Sequence, residues 1–250
     1  MANEDKFTGI SEIYAKYRPK YPSAAIAYIT EGLEPDASIA DVGAGTGKFT
    51  KALLEFEFNV MVVEPNTDML TTAKKELGGY HCQFIQASAE DTHIPNSTVD
   101  LVTVAQAFHW FDRECFAKEC LRVLKPEGKV GLIYNHRDAD HPSVQSLKPI
   151  LQRYCPKFPG FSGGIKLESI EAFFNQGNYE TRTFPNPDHL SEEEFIGRIL
   201  SNSWALKPVD LNYETFCDAL KEHFAAYQSD GKVLFQNKTT IYLGKLTLNS

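Results

Sequence analysis

Pairs are what the cysteines lack. There are five of them, Cys82, Cys115, Cys120, Cys155 and Cys217, and no two stand at C-x-x-C spacing. An odd number without such spacing argues against a disulfide frame or a thiolate zinc site and suits reduced thiols. The histidines do not cluster with carboxylates at ligand spacing, so no metal site is expected. Positive charge is also short, with 25 basic residues against 33 acidic ones and a net charge of −8. A nucleic-acid partner usually leaves a basic footprint, and none is expected here. No apolar run approaches membrane-spanning length, and the stretch from Met1 to Lys6 lacks a signal peptide's apolar core. The expectation is a cytoplasmic protein without a membrane partner. Internal repeats and Pro, Gly or Ser-rich linkers are missing too, so residues 1–250 are read as one domain, long enough for one large core.

Glycine is where the chain concentrates its signal, in Ala40-Asp41-Val42-Gly43-Ala44-Gly45-Thr46-Gly47-Lys48. A short strand, residues 38–42, turns on three glycines into a helix over 48–54. Such a corner lets a ligand approach bare backbone, and the new helix offers unpaired N–H groups to an anionic or polar group. The dinucleotide pattern G-x-G-x-x-G fails here, because Lys48 fills its third glycine position. A Walker loop fails as well, since Phe49 and Val42 stand where it needs Ser or Thr and glycine. The pattern present is D-x-G-x-G-x-G. A second strand, 60–63, runs into Glu64, then a helix over 68–77. An acid at that strand end can accept both ribose hydroxyls of an adenosine, whether of adenosylmethionine or of NAD.

D-x-G-x-G-x-G resembles the first motif of the class I S-adenosylmethionine-dependent methyltransferases. The resemblance implies an α/β fold: a Rossmann-like, doubly wound, mostly parallel seven-stranded sheet with an antiparallel last strand and helical cap elements. It implies S-adenosylmethionine as cofactor, with the loop Gly43, Gly45, Thr46 and Gly47 facing its methionine end. Asp41 would take the ammonium group, directly or through water. The third strand, 84–87, ends in Ser88-Ala89-Glu90, the corner that holds adenine in this family. Many members carry Asp where Ser88 stands, so the side-chain contact falls to Ser88 or Glu90. The fourth strand, 99–105, runs into Gln106-Ala107-Phe108-His109-Trp110-Phe111. That stretch, and Tyr14-x-x-Tyr-Arg-Pro-x-Tyr-Pro near the start, resemble the subgroup that includes trans-aconitate methyltransferases. His109 and Trp110 would then sit where the methyl group leaves.

The N-terminal helices, 10–17 and 23–33 with Ser23 as N-cap, are either tyrosine packing over the sheet or a lid carrying Tyr14 and Arg18 over the site. Residues 37–135 form the expected cofactor core. After a helix over 115–124 and a turn over 124–129 comes a fifth strand, 130–134, then a polar loop, 135–141, that lines the substrate side or is solvated. Segments 136–177 and 186–235 read as helical insertions. Ser191 and Glu194 make a capping box, and the acidic run beside them suits the helix dipole, so that helix receives no binding role. Residues 238–248 are the last strand. The function that follows is methyl transfer to a small molecule, with a carboxylate of an acidic metabolite as the acceptor and Arg18, His109 or Arg137 as its partners. A non-catalytic cofactor- or protein-binding module and an NAD-dependent oxidoreductase are the alternatives.

Overall fold

The computed structural model describes residues 17–161, 166–175 and 178–247. Tyr14 and the helix expected over 10–17 lie outside them, apart from Tyr17.

Seven strands form one sheet. They are β1 (Ser38–Val42), β2 (Asn59–Val63), β3 (Gln83–Ile85), β4 (Val99–Ala105), β5 (Leu124–Arg137), β6 (Tyr179–Pro185) and, last in the chain, β9 (Asn237–Gly244). Their order is β3-β2-β1-β4-β5-β9-β6. The pairs from β3 to β5 are parallel, and β9 runs antiparallel to both β5 and β6. This is the sheet the resemblance implies. Buried strands of a parallel sheet need apolar residues on both faces, and β4 shows why Val99-Asp100-Leu101-Val102-Thr103-Val104 folds as one. Val99, Val102 and Val104 pack into the core on one face, and Leu101 into the core on the other.

Helices cover both faces. On one lie α1 (Ser23–Ile29) and α2 (Lys48–Leu54), with Ile26, Ile29, Phe49 and Leu53 buried. On the other lie α4 (Arg113–Val123) and α6 (Leu167–Phe173), with Phe116, Cys120, Ile170 and Phe173 buried. Helix α3 (Thr67–Glu76) follows β2, its first turn capped by Asn66, whose side chain accepts the Met69 N–H at 2.9 Å. Beyond the sheet, α5 (Pro142–Tyr154), α7 (Glu192–Leu200) and α8 (Tyr213–Tyr227) build a third apolar cluster around Leu147, Phe195, Phe216 and Leu220.

Several expected boundaries move. Helix α1 stops at Ile29, ahead of Gly32 at φ 79°, and Pro22 takes the N-cap position in place of Ser23. The region read as a helical insertion, 186–235, also contains a two-stranded sheet of β7 (Asp188–Leu190) and β8 (Val233–Phe235). The expected turn over 124–129 is extended chain with a register shift opposite Val99 and Leu101. The expected loop over 135–141 begins three residues late, because Asn135, His136 and Arg137 pair with Thr239, Lys238 and Asn237 of β9. The capping box forms in full: the Ser191 side chain accepts the Glu194 N–H, and Glu194 accepts the Ser191 N–H at 2.9 Å.

Candidate active site

The glycine corner leaves β1 at Val42 and enters α2 at Lys48. Gly45 and Gly47 both hold positive φ, 58° and 77°, a region that glycine enters without strain. They need it for different reasons. A side chain on Gly47 would strike Leu77, 2.7 Å from its Cβ position, whereas one on Gly45 would meet nothing within 4 Å. Gly47 therefore serves packing, and Gly45 faces open space.

That space is a cavity of about 320 Å³ above the carboxyl ends of the strands, where open α/β sheets bind ligands. Gly43, Gly45 and Thr46 line it from the corner, Glu64 from the end of β2, and Gln106 from the end of β4. Ser88, Ala89 and Glu90 line it from beyond β3. The Thr46 hydroxyl is sealed from solvent with no hydrogen-bond partner among the described residues. Glu64 is buried and accepts the Gly45 N–H at 2.8 Å and the Asn66 N–H at 2.9 Å. Glu90 accepts the Asp112 N–H at 2.9 Å, which leaves Ser88 as the side chain of that corner with no such backbone duty.

Two expected cofactor residues are not on the cavity wall. Gly47 faces Leu77, and Asp41 is fully buried behind the corner. Its carboxylate accepts the Thr50 hydroxyl at 2.6 Å and the Thr103 hydroxyl at 3.0 Å. Burial raises its pKa to about 6, although both hydroxyls act in the other direction.

A second cavity, about 330 Å³, adjoins the first. Arg18, Pro19, Gln106, Trp110 and Asn135 line both. Gln106 is held there at φ 63°, with its side-chain amide donating to the Asn135 carbonyl at 2.8 Å. A glutamine in the left-handed region is a local strain of the kind found at functional sites. His109 lines the second cavity but not the first, on a short 3-10 turn (Phe108–Trp110) that sequence reading missed. Its ring lies 4.5 Å from that of Trp110. Three arginines line this cavity, Arg18, Arg137 and Arg198, and no carboxylate does among the described residues.

Comparison with known proteins gives the family. Residues 40–132 match a family model described as a methyltransferase domain. A methyltransferase-like protein of Schizosaccharomyces pombe is 36% identical over 197 residues, covering 77% of this chain and 74% of the relative. The chain belongs to the class I S-adenosylmethionine-dependent methyltransferases, of the type 11 kind. A methyltransferase of Mycobacterium tuberculosis is 37% identical over 142 residues, and the match spans only 56% of either protein. In fold, the methyltransferase superimposes on a type II methyltransferase assignment from Anaeromyxobacter dehalogenans with a TM-score of 0.68. The identity there is 20%, with 93% of this chain and 100% of that one covered. A phosphoethanolamine N-methyltransferase of Haemonchus contortus, solved with S-adenosylhomocysteine, gives 0.57 at 17% identity, over 98% of this chain and 60% of that one.

S-adenosylmethionine is the methyltransferase's cofactor, and the first cavity suits it. The bare backbone at Gly45, the unpartnered Thr46 hydroxyl and the Glu64 carboxylate offer the donors and acceptors an adenosyl amino acid requires.

Sequence reading missed Arg198, and it placed Asn135 only within the polar segment 135–141 that lines the substrate side or is solvated. Arg198 stands on the apolar face of α7 between Phe195 and Ile199, and it is itself buried. A lone arginine on a buried helical face was the available signal.

Proposed function

We propose that this methyltransferase transfers the methyl group to a carboxylate of an acidic small molecule bound in the second cavity. The observation that carries the reading is the lining of that cavity: three arginines, two histidines and, among the described residues, no acidic side chain. When bound, the cofactor supplies an activated methyl group on a sulfonium. The chain's own residues then have limited tasks. Gly45, Thr46 and Glu64 hold the cofactor, Glu64 through its ribose hydroxyls, and Ser88 and Ala89 meet the adenine. Asp41, from behind the corner, favours the positive charge of the amino-acid end. Gln106, Trp110 and Asn135 frame the passage between the cavities, where the acceptor oxygen must lie in line with the methyl carbon. The face of Trp110 favours a cation beside it.

A carboxylate is already ionised at neutral pH, so no proton needs to leave. Arg18 and His109 orient the acceptor without acting as bases. Burial lowers the pKa of His136, which also lines the cavity. Its Nε2 meets the Thr240 hydroxyl at 2.9 Å, so a neutral imidazole contributes there as a hydrogen-bonding wall. Tyr14 was expected beside Arg18 and lies outside the described residues. All five cysteines are free thiols, which supports a reducing compartment such as the cytoplasm. No helix among the described residues is long and apolar enough to cross a membrane.

The test is to incubate the protein with methyl-labelled S-adenosylmethionine and fractionated small-molecule extracts. Label should enter the acidic fraction and be released as methanol by mild alkali, as from a methyl ester. Alkali-stable label on an amine would overturn the carboxylate reading.

A further inference from the structure

The floor of the second cavity carries more positive charge than one carboxylate can balance. Arg137 enters from the end of β5 and Arg198 from α7, and the two share one aromatic ring. The guanidinium carbon of Arg137 lies 4.9 Å from the Phe235 ring centroid, and that of Arg198 lies 5.9 Å from it. Arg137 also lies 5.1 Å from the Phe161 ring, so aromatic faces hold its fork in place. Its Nη1 is sealed from solvent with no hydrogen-bond partner among the described residues. Arg198 donates from Nη2 to Asp188 at 2.7 Å, while its Nε and Nη1 are sealed and likewise without a partner. Asp188 thus meets one edge of the Arg198 guanidinium, and it stands outside the cavity lining. Buried polar groups left without partners are costly, and charged ones more so.

Neither guanidinium lines the first cavity, whereas Arg18 does. An acid held by Arg137 and Arg198 is therefore away from the passage through which the methyl group comes. The walls between are flat and apolar, from Trp110, Trp204, Phe158 and Phe161. Trp204 and Phe158 pack edge to face at 4.9 Å.

We infer that Arg137 and Arg198 form an anchor for a second acidic group of the acceptor, a carboxylate or phosphate that is not methylated, across a flat carbon skeleton from the group that is. This rests on the acidic-acceptor reading above and adds a claim about charge: the acceptor is at least a dianion, and its product keeps one negative charge. Burial pushes the Arg137 pKa down to about 9, with Arg18 and Arg198 adding to the shift. A guanidinium remains protonated even so, and the strain of an uncompensated cation is what an anion relieves.

The chain's two tryptophans are Trp110 and Trp204, and both line this cavity, so intrinsic fluorescence reports its occupancy. The experiment titrates full-length protein saturated with S-adenosylhomocysteine, in an uncharged buffer. The probes are terephthalate against benzoate, fumarate against acrylate, and phosphonobenzoate against benzoate. The dianions are expected to bind about tenfold or more tightly than the monoanions, the gain from added charge-assisted hydrogen bonds. Arg137→Gln should remove most of that advantage while S-adenosylhomocysteine affinity, read by calorimetry, stays unchanged. The terephthalate and phosphonobenzoate arms tell a carboxylate anchor from a phosphate one. Monoanions and dianions binding equally to the wild-type protein would overturn the anchor and leave the acidic acceptor standing. No acid of either kind binding to the cofactor-loaded protein would remove both. Should Arg137→Gln fail to fold, Arg198→Gln and the wild-type ratio decide the matter.

Discussion

Lys48 holds the backbone of Arg18, its Nζ donating to the Arg18 carbonyl oxygen across 2.7 Å. One residue opens the helix after the glycine corner, and the other lines both cavities. The Arg18 guanidinium is steadied from the opposite side, where Nη2 donates to the Ser201 carbonyl at 3.2 Å. The glycine corner and the second cavity are thereby joined through one short segment. Burial, with Arg198 and Lys20 nearby, lowers the Lys48 pKa to about 8.

Arg18→Ala is expected to raise the acceptor KM by more than it weakens the cofactor, because Arg18 is one of the three arginines lining the cavity proposed for the acceptor. Lys48→Met should reproduce part of that rise, since it releases the backbone that carries Arg18. The double variant should then be little worse than Arg18→Ala alone, a coupling on the order of 0.5–3 kcal/mol for residues in contact. Steady-state kinetics of the four proteins would check it. Additive effects would mean that the Lys48 contact does not position Arg18.

Asp41 sets a pH dependence with a definite sign. Its folded pKa of about 6 lies above the ordinary carboxyl value. Between those two values the folded chain keeps a proton that the unfolded chain has lost. Stability from this group is therefore greatest at low pH, falls as pH rises through that window, and is level above it. The loss is on the order of 3 kcal/mol for about two pKa units. Asp41→Asn keeps a partner for Thr50 and Thr103 and cannot ionise. Its melting temperature should exceed that of the wild type increasingly from pH ~4 to ~7. Conversely, wild-type affinity for S-adenosylhomocysteine should rise through the same window, because a nearby ammonium favours the ionised acid. Calorimetry across pH should show that rise flattened in Asp41→Asn.

Glu64 holds the corner from the end of β2 through the Gly45 and Asn66 N–H groups. Removing its carboxylate should lose charge-assisted hydrogen bonds to the ribose worth about 1.5–3 kcal/mol. Glu64→Ala should therefore weaken S-adenosylhomocysteine by about tenfold or more, with the circular dichroism spectrum unchanged. A dissociation constant equal to the wild-type value would remove Glu64 from the ribose site.

What the sequence by itself determined is what neighbours in the chain enforce. Gly43, Gly45 and Gly47 bend the corner because a positive φ is a property of each residue and the next. The Ser191 and Glu194 cap forms because its partners are three residues apart. Glu64 falls beside the corner because β2 pairs with β1 in the register that every βαβ unit imposes. The helix of Arg198 was legible too, while its purpose was not. The charge of the acceptor cavity depends on Arg18, Arg137 and Arg198, which come from the N-terminal segment, β5 and α7. Their common ring, Phe235, belongs to β8, a strand that forms only against β7, and Arg137 leaves the expected loop only because Asn237 pairs with it. Each of those contacts joins segments distant in sequence, so no local pattern encodes it. Tertiary structure alone decided where the positive charge collects, because packing of the cap brings those guanidinium groups to the wall of one cavity.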